Sequence, residues 1–159
     1  MSRTGKNMLD AVKRHLSKSG WDFERISEEP AVKAVYRGCK TWDIIVYADD
    51  EKSALSFICP QLAEAVEEDP GVFRMINAIN ANILVGKLIY LEDQKTISAV
   101  ITVLCDPEKI EDETVLRPLS TLCMILEYTA PYLEEHHSVH EGDRAAEPAA
   151  QHVPGDDLN

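Results

Sequence analysis

A helix that runs directly into a strand, between Asp69 and Asp93, constrains the fold of this chain more than any other stretch. The sequence there reads D-P-G-V-F-R-M-I-N-A-I-N-A-N-I-L-V-G-K-L-I-Y-L-E-D. The Asp69 carboxylate can cap the amide hydrogens of the first turn, and Pro70 suits the first helical position because it has no amide hydrogen. Gly86 supplies the left-handed residue that ends the helix.

Apolar residues change their spacing where the predicted helix gives way to the strand. The helix carries one stripe at three- and four-residue spacing, made by Phe73, Ile76, Ile79 and Ile83. In the strand, Leu88 and Tyr90 alternate with Ile89 and Leu91. Both faces of this strand are apolar, so we expect it to be covered on both sides.

The remaining elements follow from the same kind of pattern. One amphipathic helix is predicted before the central helix, over Asn7–Ser17, and a long one after it from Glu113, with a kink or break at Pro131. The predicted strands are Val32–Tyr36, Trp42–Ala48, Ala54–Cys59, Gly86–Glu92 and Lys95–Leu104. Leu62, Ala63, Ala65 and Val66 either add a short helical turn or stay irregular. The order α-βββ-α-ββ-α predicts an α+β fold in which a five-stranded antiparallel sheet packs with helices.

Charge and composition separate a folded part from a tail. The chain has 159 residues and a net charge of −12. Residues 1–135 are predicted to form one α+β domain, and residues 136–159 an acidic, disordered tail with few apolar groups. The negative charge argues against nucleic acid and anionic membrane as partners. The N-terminal stretch has no apolar signal segment, so a cytoplasmic location is expected.

The chain shows no arrangement of residues that suggests catalysis or a cofactor. Its four cysteines form no C-x-x-C pair, and Cys39, at a predicted turn, is the one expected to be exposed. His15 is the only histidine before the tail, and no glycine-rich phosphate loop is present. We therefore expect a protein without enzymatic activity, without a cofactor and without a catalytic site.

A histidine cluster at the start of the tail has spacing compatible with metal ligands. His136 and His140 would share a helical face beside His137, Glu134 and Glu141. A tail lacks the rigid surroundings that orient ligand rings, so adventitious binding is favoured and no physiological metal site is predicted.

Two sets of residues are candidates for contact with a partner or a second subunit. Asparagine is a poor residue for a helix interior, yet Asn77, Asn80 and Asn82 fall within one helix. Asn77 and Asn80 either bind a partner, together with Phe73, or tie the helix to a neighbouring strand. Trp42 and Tyr47 either belong to the core or form part of an apolar platform on an uncovered sheet face.

The Asn77-x-x-Asn80 helix, the Gly86-Lys87 break and the apolar strand after it resemble the YbjN family, as does Gly20-Trp21 after the first helix. The resemblance extends from about Met8 to Leu133. Members of that family are similar in fold to type III secretion chaperones. The resemblance implies that the central helix or the sheet face carries the subunit or client contact.

Together these observations predict a chaperone-like or regulatory interaction module, a homodimer that binds a partner protein or peptide. The alternative is a sensory domain that binds a small ligand between helix and sheet.

Overall fold

The computed structural model describes the backbone of residues 3–63 and 70–144 and the side chains of residues 8–63 and 70–134. The described residues form three helices and six strands. In order they are α1 (Arg3–Lys18), β1 (Phe23–Arg25), β2 (Ala31–Arg37), β3 (Thr41–Asp49), β4 (Ala54–Ala63), α2 (Pro70–Asn82), β5 (Lys87–Leu91), β6 (Thr96–Leu104) and α3 (Asp112–Arg144). A short 3₁₀ turn, Glu92–Gln94, joins β5 to β6.

The strands form one antiparallel sheet in the order β1-β2-β3-β4-β6-β5. The predicted α+β class and antiparallel sheet are confirmed, but the predicted number of five strands is wrong. The additional strand is β1, which pairs with β2 from Phe23 to Arg25. Three residues are too few to show an alternating pattern, so this strand could not be predicted from its own residues.

Among the described residues, the helices cover one face of the sheet, and the opposite face, here called the open face, is partly exposed along β3. Buried residues alternate with partly exposed ones along β3, where Ile44 and Val46 lie beneath the helices and Ile45 and Tyr47 point the opposite way. The register places Phe57 beside Val46, and Ile101 beside Phe57, on the covered face. This one-sided arrangement is typical of an antiparallel sheet with one solvated face.

The core lies between the covered face and helices α1 and α3. Fully buried side chains recur at helical spacing in both helices, as predicted: Met8, Val12 and Leu16 in α1, and Val115, Leu119, Leu122 and Leu126 in α3. Burying an aliphatic side chain of this size stabilises a fold by about 1.5–3 kcal/mol. His15 also ties the two helices together, since its Nδ1 lies 2.5 Å from Asp112 Oδ1 and its Nε2 lies 3.0 Å from the Ile110 carbonyl oxygen.

Four local predictions need correction around the central helix. Helix α2 ends at Asn82, before the left-handed Gly86, which instead turns the chain into β5. Val72 takes the buried position in α2, and Phe73 is exposed. Strand β5 lies at the sheet edge with only Leu88 fully buried, so it is not covered on both sides. Leu62 and Ala63 belong to β4 and not to a helical turn.

Two prolines also act differently from expectation. Strand β4 continues past Pro60, because the sheet register shifts between Cys59 and Ala63 and a bulge tolerates proline. Helix α3 runs through Pro131 without a break, so a kink there stays a prediction.

The proposed cap Asp69 lies outside the described residues. Helix α3 crosses the predicted tail boundary and ends at Arg144, and residues 145–159 are outside the described part.

Candidate interaction surfaces

Asn80 joins the central helix to the edge strand through two hydrogen bonds. Its Nδ2 donates to the Leu88 carbonyl oxygen at 3.0 Å, and the Leu88 N–H donates to Asn80 Oδ1 at 2.7 Å. The side-chain amide thus does for Leu88 what a neighbouring strand would do, since it supplies one donor and one acceptor to the same residue. Of the two roles considered for this asparagine, the structure shows the tie between helix and strand.

The other two asparagines of α2 are separated from this contact. Asn82 Nδ2 donates to the Ala78 carbonyl oxygen at 2.8 Å, within the helix itself. Asn77 is exposed on the outward side of α2. Of this pair, Asn80 therefore has a structural role, and Asn77 lies exposed at the surface.

Exposed and partly exposed apolar side chains lie on α2, on the turn that follows it and on β5. We call this region the α2–β5 surface and define it by Phe73, Leu84, Val85 and Tyr90. Leu84 is 98% exposed, and Phe73 and Val85 are also exposed. The Phe73 ring meets the Tyr90 ring edge-on, with centroids 5.6 Å apart. Sequence reasoning included Phe73 but missed Leu84 and Val85, because hydrophobicity alone does not say which side of a chain reversal faces solvent.

The two candidate aromatic residues of β3 lie on opposite faces of the sheet. Tyr47 is partly exposed on the open face, between Ala31 and Ser56 in the register. Trp42 is only 5% exposed on the covered face, where its ring stacks on Tyr36 with centroids 5.8 Å apart. The predicted open platform therefore includes Tyr47 together with Ile45, whereas the Trp42 ring packs with the core.

The tip of the β2–β3 hairpin is fastened to α3 by one carboxylate. Glu127 Oε1 accepts hydrogen bonds from the Tyr36 hydroxyl at 3.0 Å and from the Cys39 N–H at 2.9 Å. Hydrogen bonds from the Cys39 thiol and backbone lower the pKa of Glu127. The same contact raises the pKa of the Cys39 thiol. Lys40 adds an ion pair with Glu134.

The cysteines do not form a reactive site in the described part of the chain. All four thiols are free, and Cys39 is the exposed one, as predicted. Burial raises the pKa of Cys59 to about 12 and that of Cys123 to about 11. Thiols with such values hold their proton near neutral pH and act as small apolar groups.

No group of three or more potential metal ligands comes together among the described residues. The side chains of His136, His137 and His140 lie outside the described part. Within that part, no helix is long and apolar enough to cross a membrane.

Comparison with known protein families identifies the group to which this fold belongs. The YbjN family model, described as "Putative bacterial sensory transduction regulator", matches residues 8–124. The chain belongs to the YbjN family. The match includes most of α1, the whole sheet, α2 and the first part of α3. A search of curated proteins found no significant match.

Solved structures share the YbjN-family fold at low sequence identity. A chain of the HopA1–SchA chaperone–effector complex is 14% identical with a TM-score of 0.59, and the match covers 84% of this chain and 98% of that one. A chain of the ExsC–ExsE complex is 15% identical with a TM-score of 0.60, covering 84% and 97%. YbjN from E. coli is 16% identical with a TM-score of 0.54, covering 78% and 92%. The predicted type III secretion chaperone-like fold is confirmed.

Proposed function

We propose that this chain is a protein-interaction module without enzymatic activity, chaperone-like or regulatory in kind, which acts as a homodimer and binds a partner protein. The observation that carries the proposal is the α2–β5 surface, where Leu84 is 98% exposed beside other apolar side chains. A cluster of exposed apolar groups costs free energy in water, and such clusters mark interfaces. A second copy of this chain is the proposed occupant of this surface.

The outward side of α2 has the composition of an interface core. Phe73, Asn77 and Ala81 are exposed at helical spacing on α2, and Leu84 is exposed just after the helix ends at Asn82. Arg74 is the one charged residue within α2. Depletion of charge beside aromatic and aliphatic groups is characteristic of the buried centre of interfaces. A two-fold axis through this surface would bring the same residues from both copies together.

The partner protein is assigned to the open face of the sheet, around Ile45 and Tyr47. Two of the solved structures with this fold are named as complexes, one of a chaperone with an effector and one of ExsC with ExsE. These names support a protein partner for this chain. The regulatory variant of the proposal is supported by the family description, which names sensory transduction.

Affinity capture from cell extract, read by mass spectrometry, tests the partner assignment. The wild-type chain is compared with Tyr47→Ala, on the open face, and with Tyr132→Ala, an exposed tyrosine of α3. We expect wild type and Tyr132→Ala to enrich the same protein and Tyr47→Ala to lose it. If no protein is enriched by wild type, or if both variants keep it equally, the assignment is wrong.

A further inference from the structure

The sheet opens between β3 and β4 at one end. The register of the two strands begins at Ile45 opposite Ile58, whereas β3 already pairs with β2 from Thr41 onward. Residues Thr41–Ile44 therefore have a strand partner on one side only. Continued in register, Asp43 would face Pro60, which has no N–H to donate. Beyond Pro60, β4 keeps only its pairing with β6, where Ala63 lies opposite Ile97.

A groove of about 270 Å³ lies where the two strands separate. Its walls combine apolar side chains with polar groups; they are Lys33, Thr41, Trp42, Asp43, Ile45, Pro60 and Gln61. We call this the β3–β4 groove. One of its walls includes Trp42, which the sequence analysis names as a candidate contact residue. The rest of the Trp42 side chain is buried.

We propose that the β3–β4 groove binds an extended segment of a partner protein, which pairs with β3 along Thr41–Asp43. This inference rests on the proposed function and names the place and the backbone conformation of the bound partner. A strand segment that lacks a neighbour presents N–H and C=O groups that an added strand can satisfy at a spacing of about 4.8 Å. Such strand addition takes its affinity from main-chain hydrogen bonds and its specificity from pockets for alternate side chains.

The charges at the groove favour a basic residue in that segment. Lys33 Nζ lies 2.7 Å from Glu24 Oε1 but 3.7 Å from Asp43 Oδ2, so Lys33 is bound more closely to Glu24 than to Asp43. The Asp43 side chain is about half exposed at the groove wall. Because the chain also has a net charge of −12, an arginine or lysine beside the paired stretch would be attracted to this carboxylate.

Peptides selected from a displayed library of short random sequences serve as the probe. The tightest peptide is synthesised twice, once unmodified and once with N-methyl groups on alternate amides, which removes main-chain donors and keeps the side chains. Its dissociation constant is measured with wild type, with Gln61→Trp and with Gln94→Trp. Both glutamines are exposed, but only Gln61 lines the groove. We expect Gln61→Trp and N-methylation each to weaken binding about tenfold or more, and Gln94→Trp to leave it unchanged.

A second pair of variants tests the charge of Asp43. It keeps the inference testable if Gln61→Trp does not fold. Asp43→Asn should weaken binding of an arginine-containing peptide and reduce its salt dependence, whereas Asp93→Asn, at the exposed 3₁₀ turn, should do neither. Thermal melting of each variant establishes that it is folded.

Several results would overturn the inference. A peptide that binds Gln61→Trp and Asp43→Asn as tightly as wild type does not use this groove, and a library without binders contradicts it as well. If Gln61→Trp alters the self-association of the free protein, the occupant is a second copy and not a partner. The proposed function is judged separately, since its tests use Tyr47 and Leu84 and do not depend on Gln61.

Discussion

Asn80 holds the central helix against the edge of the sheet by imitating the pairing of a strand. Its amide both donates to and accepts from Leu88, a residue that is almost completely buried. Leu88 is the second residue of the edge strand β5. The position of α2 relative to the sheet therefore depends on this side chain together with the buried Val72, Ile76 and Ile79.

Replacing Asn80 by alanine should lower the free energy of unfolding by about 1–3 kcal/mol, because it leaves the Leu88 N–H and C=O without a partner in the protein. Urea denaturation measures this change. Asn77→Ala is the matched control in the same helix, and its exposed position predicts an effect within about 0.5 kcal/mol. Equal effects of the two substitutions would contradict the structural role of Asn80.

Gly38 is required by the side chain that lies over it. A Cβ atom at this position would clash with Glu127 Oε1, so any side chain must displace the carboxylate that binds Tyr36 and Cys39. The end of a glutamate side chain can move, and the cost is therefore the loss of its hydrogen bonds and not a disrupted backbone.

A double-mutant cycle tests this account of Gly38. Gly38→Ala alone should destabilise the protein by about 1–2 kcal/mol, since the contacts of the Glu127 carboxylate are lost. In a Glu127→Ala background the same substitution should cost less, because only the Tyr36 ring, whose Cε1 lies 2.9 Å from that Cβ, remains to be displaced. Purely additive effects in denaturant unfolding would show that the glycine is needed for another reason.

The hairpin of β2 and β3 is held at its tip by α3, and this attachment is sensitive to pH. The folded pKa of Glu127 lies below its ordinary value of 4.5 because the Cys39 thiol and backbone donate to the carboxylate. A lowered folded pKa means that the contribution to stability is complete above about pH 4.5 and is lost as the pH falls through the folded pKa.

The stability difference between wild type and Glu127→Gln should therefore be largest near neutral pH and shrink below about pH 4.5. Thermal melting from pH 3 to pH 7 measures it. Glu113→Gln removes an exposed carboxylate from the same helix and should show a much weaker dependence. If the two variants have the same pH profile, the Glu127 contact does not link protonation to folding.

How much of each element the sequence reveals depends on whether its signal is local. The stripes Met8–Val12–Leu16 and Leu119–Leu122–Leu126 have helical spacing, and α1 and α3 were predicted from them. Strand β1 could not be predicted, because its three residues gain their conformation from pairing with β2. The continuation of β4 past Pro60 likewise depends on β6, which lies far along the chain.

The same division applies to the candidate contact residues. The unusual asparagines were visible in the sequence, but only the hydrogen bonds of Asn80 with Leu88 and the exposure of Asn77 show that Asn80 faces inward and Asn77 outward. The β3–β4 groove lies where the pairing of β3 with β4 stops and the register of β4 with β6 shifts. Such long-range pairing cannot be predicted from any single stretch of the sequence.

In the described part of the chain, the helices lie on one side of the sheet, and we propose two of its surfaces as contacts for other proteins. The α2–β5 surface is apolar and low in charge, which suits a second copy of an acidic chain because like charges are kept out of the interface. The open sheet face and the adjoining groove lie on a different part of the molecule. A dimer could therefore form without blocking the partner site.

Sedimentation equilibrium of wild type, Leu84→Ser and Leu104→Ser tests the assembly most directly. Both leucines are highly exposed, at 98% and 81%, but Leu104 lies at the far end of β6 from the strand pairing with β5. The account predicts that wild type and Leu104→Ser are dimers and that Leu84→Ser is a monomer or dissociates about tenfold more readily. A monomeric wild type, or a Leu84→Ser dimer of unchanged affinity, would contradict it.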